Sequence, residues 1–455
     1  MSNHTTAESL HRLVKQAIDS GAASSIAEAE AMFRGYRLRL EIGRDAAVDP
    51  AHQATLLTAV ALAARVFLGG VSVVGHLDTP LVVPMPLGPT LSSAVRELGA
   101  TVDEDSESAP TVIIGGGIAE RRPGFCVRTV VSGWRGGIVP VHSEIESSGP
   151  GGSSLSGMLA AALAINEAFL HVRGGASYAG HRDVGLSLWR PESLDDWWNT
   201  DATEPELRYL PTQLWLLGLG HLGQANLWAL GLLPYDHPEQ VHLVLQDIDV
   251  ITPSTQSTSI LTEHRTVGDM KTRVMAKWAE SRGFNAAITE RRFAAGFKRH
   301  EDEPGVALCG LDNALGRRAL DKVGFDFIVE AGLGRGHRNF RTLRLHVLPG
   351  RRTAAEIWRG TVGDESPEDK PAYAKLLADG ELDRCGMTLL AGKAVGAPFV
   401  GATAAALAVA EVLRLLHGGR VNQLIDLDLL CPDTRTVSAH PANFRHLNPG
   451  YSLAR

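Results

Sequence analysis

The chain has only four cysteines in 455 residues, Cys126, Cys309, Cys385 and Cys431, and no two of them form a C-x-x-C pair. That scatter argues against a structural zinc site, and a disulfide framework is implausible in so long a chain. A basic block is also missing: 44 Lys and Arg face 51 Asp and Glu, for a net charge of −7. Nucleic-acid binders normally carry a positive patch, so no nucleic-acid partner is expected. The opening stretch, MSNHTTAESLHRLVKQ, lacks the apolar core of a signal peptide. No apolar run reaches the roughly 20 uninterrupted residues of a membrane span. ATLLTAVALAARVFLGG contains Arg65, and FVGATAAALAVAEVLRLL contains Glu411 and Arg414; such charges are costly at mid-bilayer. Both stretches are expected to be buried helices of a cytoplasmic protein with no membrane partner.

What is present is enough apolar material for ordinary cores, 44% hydrophobic against 21% charged, and a length that suggests two or three domains. An internal repeat sharpens that count. GMLAAALAINEAFLHVRGG (157–175) aligns without a gap on GATAAALAVAEVLRLLHGG (401–419), setting Gly157 on Gly401 and Glu167 on Glu411. TVIIGGG (111–117) precedes the first copy as GVALCGLDN (305–313) precedes the second, and RTVVSGWRGG (128–137) resembles DFIVEAGLGRG (326–336). Strand-like runs at 71–74, 111–114, 127–131, 213–217, 241–246, 305–308, 326–329, 340–347 and 424–428 alternate with helix-like ones. That alternation argues for parallel sheets with crossover helices. The expected architecture is α/β: two tandem Rossmann-like units, 50–200 and 205–435. A helical segment, 1–49, precedes them and a tail, 436–455, follows. Only the second unit has a Gly-rich turn; GGVSVVGHLDTPLVVP stands where the first should carry one.

That turn is Gly218-x-Gly220-x-x-Gly223, fed by the apolar run QLWLL. Alone it marks a nucleotide phosphate site and names no reaction. The next strand-like run, VHLVLQDIDVI, ends in Asp247 and Asp249, which alternate onto one face; an acid there can accept from ribose hydroxyls. Lys271 follows in a G-x-x-K segment (268–271). A triphosphate gives such a lysine a task that hydride transfer does not. Taken alone, though, it also reads as an exposed helix-start residue. Asp312-Asn313 follow the run 305–309, ahead of Arg317 and Arg318. Asp312 could hold Mg²⁺ through oxygen, and Asn313 could equally be a helix cap.

The order G-x-G-x-x-G, D-x-D, G-x-x-K, D-N-x-x-x-R resembles the ubiquitin-activating enzymes and their bacterial relatives, the thiamine- and molybdopterin-pathway adenylyltransferases. The resemblance covers 205–435 and extends over the first unit as a degenerate copy. It implies an inactive and an active adenylation domain in one chain, an internal pseudo-dimer that is monomeric or weakly associating. It also implies roles: Gly218, Gly220 and Gly223 admit the nucleotide, Asp249 or Asp247 binds ribose, and Lys271, Asn313 and Arg317 serve the phosphates. Asp312 would position Mg²⁺ and the α-phosphate. The implied reaction uses ATP to adenylate the C-terminal glycine of a ubiquitin-like protein. One departure stands out. The family segment S-N-L-x-R-Q is replaced by TPSTQSTSIL (252–261), with Thr258 at the arginine position; either Arg265 substitutes, or hydroxyl groups do part of the job, or catalysis is impaired. A second arginine, Arg39 or Arg37 in FRGYRLRLEIGRD (33–45), is expected to reach the γ-phosphate from the N-terminal half.

Many members of this family pass the acyl group to a cysteine. Cys385, in DRCGM within the polar crossover segment 351–398, is the expected nucleophile, with Arg384 favouring its thiolate. A conjugating-enzyme-like protein would then be the next partner. Three alternatives stay open: a sulfur-carrier adenylyltransferase without a thioester, an NAD-dependent oxidoreductase, and a non-catalytic binding protein.

Overall fold

The computed structural model describes residues 6–455 apart from 104–108, 117–123, 148–150, 195–196, 200–202, 361–372, 374–389 and 445. Three short helices open the chain, α1 (Thr6–Ser9), α2 (Lys15–Asp19) and α3 (Ile26–Arg34). The first unit is built from β1 (Leu38–Ile42), α4 (Pro50–Ala63), β2 (Val71–Gly75), α5 (Leu91–Glu97), β3 (Thr101–Val102), β4 (Thr111–Ile114), β5 (Cys126–Ser132), β6 (Arg135–Pro140), α6 (Ser154–Arg173) and β7 (Val184–Ser187). The connecting strand β8 (Tyr209–Pro211) leads to β9 (Gln213–Leu217), α7 (His221–Leu232), β10 (His242–Gln246), α8 (Pro253–Gln256), α9 (Lys271–Ser281) and β11 (Asn285–Thr289). The chain continues through β12 (Val306–Cys309), α10 (Ala314–Arg318), β13 (Phe327–Leu333), α11 (Gly336–Asn339), β14 (Thr342–Leu348), α12 (Pro398–Leu416), β15 (Asn422–Asp428), β16 (Thr436–Ala439) and β17 (Tyr451–Leu453).

The two sheets have the same topology. The first runs β3-β2-β1-β4-β5-β6-β7 and the second β11-β10-β9-β12-β13-β14-β15-β16. In each, five strands are parallel and the later ones antiparallel. The repeat seen in the sequence is therefore a repeat of fold: α6 and α12 are matching crossovers into β7 and β15.

This topology moves three expected boundaries. β1 is an inner strand of the first sheet, between β2 and β4, so that unit begins before 50 and the opening segment is not wholly helical. The counterpart of the Gly-rich turn is the connection 43–49 between β1 and α4, whereas Val71–Gly75 is β2, the equivalent of β10. At the far end, β16 extends the second sheet and β17 pairs with β8, so 436–455 is not a free tail.

Each sheet has a helical face, and the two faces cover one another. α4 and α6 pack together, as do α7 and α12, and α6 packs directly on α12. One continuous core results, drawing on both units. The helices α6 and α12 are long and apolar enough to span a membrane by composition, yet 89% and 94% of their apolar windows are buried inside the protein. Small residues make this possible: Gly157 sits on the Ala51 carbonyl, where a Cβ would lie 2.4 Å from the oxygen. Across the units, Trp228 Nε1 donates to Thr58 Oγ1 at 3.0 Å.

The repeated glutamates close equivalent loops. Glu167 accepts from the Gly180 amide (3.1 Å) and Arg182 (2.6 Å). Glu411 accepts from Arg414 (2.7 Å) and from the Asn422 amide and side chain (both 2.9 Å). Each arm also crosses to the other unit: Asn166 donates to the Leu429 carbonyl at 3.0 Å, and Arg414 to that of Leu188. Removing one partner of such a buried pair strands the other charge. Glu411→Ala is expected to cost about 3–5 kcal/mol, read as a lowered unfolding midpoint in denaturant.

Candidate functional site

The site lies at the carboxyl ends of β9, β10 and β12, where an open parallel sheet binds ligands at its switch point. Its three glycines are needed for three different reasons. Gly218 has φ +81° and its Cβ position is 3.1 Å from the Gly310 carbonyl, so it makes the turn. A Cβ on Gly220 would meet nothing within 4 Å and would project into open space, the approach a phosphate would use. A Cβ on Gly223 would lie 1.9 Å from the Gly218 carbonyl oxygen, so α7 can start only with glycine there.

The two acids divide the work. Asp247 is turned inward: Oδ2 accepts from the Leu219 amide at 2.6 Å, and Oδ1 from the amides of Ile248 (2.7 Å) and Asp249 (2.9 Å). It braces the Gly-rich turn. Asp249 is outward, with a side chain 63% exposed, and pairs with Lys271 Nζ at 2.9 Å. Lys271 is itself largely buried, 3.8 Å from Asp247. Asp249 is thus the exposed acid of the two, and Lys271 sits beside it at the start of α9.

Asn313 is a helix cap: its Oδ1 accepts from the Gly316 amide at 2.6 Å. The cap uses Oδ1 alone and leaves the Nδ2 donors out of that bond. Arg317 is also committed, with Nε 2.7 Å from the Leu311 carbonyl and 3.0 Å from buried Glu330. It supports the turn that carries Asp312. Asp312 is exposed, and its carbonyl accepts from Arg335 at 3.2 Å.

Arg39 is the residue expected to reach the γ-phosphate. It lies in β1, its Nε 2.7 Å from Glu41 within the same strand, because alternate residues share a face. An arginine within electrostatic reach of Asp312 is Arg12, between α1 and α2. Burial lowers its pKa and the attraction of Asp312 partly restores it. Its amide donates to Ser257 Oγ at 3.0 Å, and its guanidinium to the Ala394 carbonyl at 3.4 Å. Around it, Gly396 brings Thr258, Arg12 and His221 within 4 Å of one Cβ position. Thr258, at the family's arginine position, is buried beside Arg12. Arg265 points elsewhere, 78% exposed and 2.6 Å from Glu263. No local pattern marked Arg12; its place depends on the N-terminal segment folding over α8 and α11.

His221, the residue after Gly220, is desolvated and its pKa falls to about 4, so it is neutral. Cys309 ends β12 fully buried, and burial beside Glu330 pushes its thiol up to about 12, which makes it inert near neutrality. Cys126 is buried and Cys431 exposed. Cys385 and most of the crossover segment 351–398 lie outside the described residues. Among the described residues no group of three His, Cys, Asp or Glu side chains could cage a metal. Asp312 is an exposed carboxylate, which could give one oxygen to an ion that arrives with phosphates and keeps most of its own oxygen ligands, as Mg²⁺ does.

The sequence models of the BilD N-terminal and C-terminal domains match residues 37–188 and 210–419. The bacterial E1-like protein BilD of Collimonas sp. (strain OK412) is 45% identical over 426 residues, 93% of this chain and 91% of that protein. Among solved structures, E. coli MccB aligns with a TM-score of 0.32 and 13% identity, covering 51% of this chain and 62% of that one. A further MccB structure holds ATP. The E. coli tRNA N6-threonylcarbamoyladenosine dehydratase TcdA aligns with a TM-score of 0.27 and 16% identity over 45% of this chain and 86% of its own. This chain belongs to the BilD family of bacterial E1-like proteins.

Proposed function

We propose that the chain uses ATP to activate the C-terminal carboxylate of a ubiquitin-like protein ending in glycine, with the second unit as the working half and the first as its inactive partner. The observation that carries this reading is the Asp249–Lys271 pair beside the open face of Gly220. A ribose acceptor and a phosphate cation at one strand end suit a nucleoside triphosphate; NAD chemistry leaves the lysine without a task. Asp249 holds the ribose hydroxyls and Lys271 the phosphates. The α7 amides behind Gly220 attract negative charge. Arg12 takes the place that the sequence left vacant at Thr258, from another part of the chain, and neutralises charge building on pyrophosphate. Asp312 would hold Mg²⁺, which shields the phosphate oxygens.

In the first step a carboxylate oxygen bonds to the α-phosphorus, the α–β phosphoanhydride bond breaks and pyrophosphate leaves. In the second, the Cys385 thiolate attacks the acyl carbon, its proton having gone to solvent. The bond from acyl carbon to AMP oxygen breaks and a thioester forms. A conjugating-enzyme-like protein would take the acyl group from there.

ATP–pyrophosphate exchange in the presence of the ubiquitin-like partner tests the first step. Arg12→Ala should lower the exchange rate about 100-fold, while Arg39→Ala should leave it near wild type. The reverse order would return the role to Arg39. For the second step, protein, ATP, Mg²⁺ and partner are run on a nonreducing gel. A thiol-sensitive adduct absent in Cys385→Ala is expected; exchange without any adduct would limit the chain to adenylation, and neither signal would overturn the proposal.

A further inference from the structure

The hydroxyl-rich segment after α8 turns sharply through residues 257–262, and its carbonyls converge on a single side chain from the first unit. Arg65, just past the end of α4, donates from Nε to the Ser259 carbonyl (3.2 Å) and from Nη2 to those of Ile260 (2.8 Å) and Thr262 (3.0 Å). Its Nη1 returns to the Ala61 carbonyl at 2.6 Å, which fixes the guanidinium on its own helix. The charged group in its field is Glu263, and desolvation brings its pKa down to about 10. A partly buried arginine spent on carbonyls is a costly arrangement, and here it fixes the shape of a loop.

That loop is wired to the Gly-rich turn. Buried Gln224 of α7 accepts from the Leu261 amide at 3.0 Å and donates to Thr262 Oγ1 at 2.9 Å. The same side-chain amide donates to the Leu219 carbonyl at 3.1 Å, and the Leu219 amide in turn is held by Asp247. The segment that carries Arg12 is held by His11, whose Nδ1 accepts from the amides of Leu13 (3.2 Å) and Val14 (3.4 Å). Arg12 lies between those contacts. One residue of the first unit therefore holds the loop that begins at Ser257, the residue bonded to the Arg12 amide.

We propose that Arg65 is a positioning residue through which the first unit sets the Gly-rich turn and the 257–262 loop of the second. The part of this concerning ATP rests on the nucleotide reading above. The degenerate unit then takes part in the chemistry by shaping the neighbouring phosphate site, without a nucleotide turn of its own.

The test compares Arg65→Gln and Arg65→Lys with Trp228→Phe, which removes a different hydrogen bond between the same two units. Amide hydrogen exchange of the nucleotide-free protein reads the link directly. Leu219 and Leu261 should exchange about tenfold faster or more in Arg65→Gln, less so in Arg65→Lys, and at the wild-type rate in Trp228→Phe. In pyrophosphate exchange, Arg65→Gln should raise KM for ATP about tenfold with a smaller change in kcat. Unchanged exchange at Leu219 in Arg65→Gln overturns the proposal. So does equal loosening in Trp228→Phe at matched thermal stability, which would mark a general loss of packing. Selective loosening in a protein whose wild type shows no pyrophosphate exchange would support the link and count against the ATP reading alone.

Discussion

Neither sheet can stand alone, because each exposes a helical layer whose small residues match the other's. α6 and α12 are so rich in alanine and so nearly free of charge that water cannot solvate them cheaply. Their direct packing on one another is what joins the two units into one core. The pairing is nearly symmetric. Each long helix carries, in its C-terminal half, a glutamate that secures the following loop, and each unit sends a donor to the segment after the other's late strand, Asn166 to Leu429 and Arg414 to Leu188. With the units fixed in this way, residues from one can be aimed into the other at fixed distance.

That fixed relation explains how much of the site was legible in the sequence. The Gly-rich turn, the paired acids and Lys271 all sit within one βαβ stretch, so their relation is set by local geometry, which spacing encodes. The Ala-rich repeat was equally plain, since helix–helix contact demands small residues at matched positions. β1 was harder to read. An inner parallel strand usually runs apolar throughout, but Leu38–Ile42 alternates with Arg39 and Glu41, which neutralise each other at 2.7 Å. The alternation imitates a surface segment and suggested a free arginine. The edge strands β16 and β17 are short and half exposed, which leaves little apolar pattern to recognise.

Arg12 and Arg65 were invisible for a different reason. Neither lies in a motif, and Arg65 served in the sequence only as a charge that argues against a membrane span. Their roles come from contacts over 190 residues away in the chain. The missing family arginine at Thr258 was legible as an absence; Arg12, the replacement we propose, was not, because charge at a site can be restored from any segment that folds close enough. Asn313 shows the opposite case. The structure uses it as the plain helix cap that its sequence position also allowed.

The ion pair between Asp249 and Lys271 bears on discrimination among anions. Without a nucleotide, the lysine is already neutralised by its neighbour, so the pocket does not advertise a bare positive charge. On the proposed reading, a ribose arriving at Asp249 gives that carboxylate new donors and frees the ammonium for phosphate. A polyphosphate without a sugar would have to break the pair with nothing offered in return. The two halves of the ligand are then read jointly, and the pair works as a coincidence detector placed at the mouth of the Gly-rich turn.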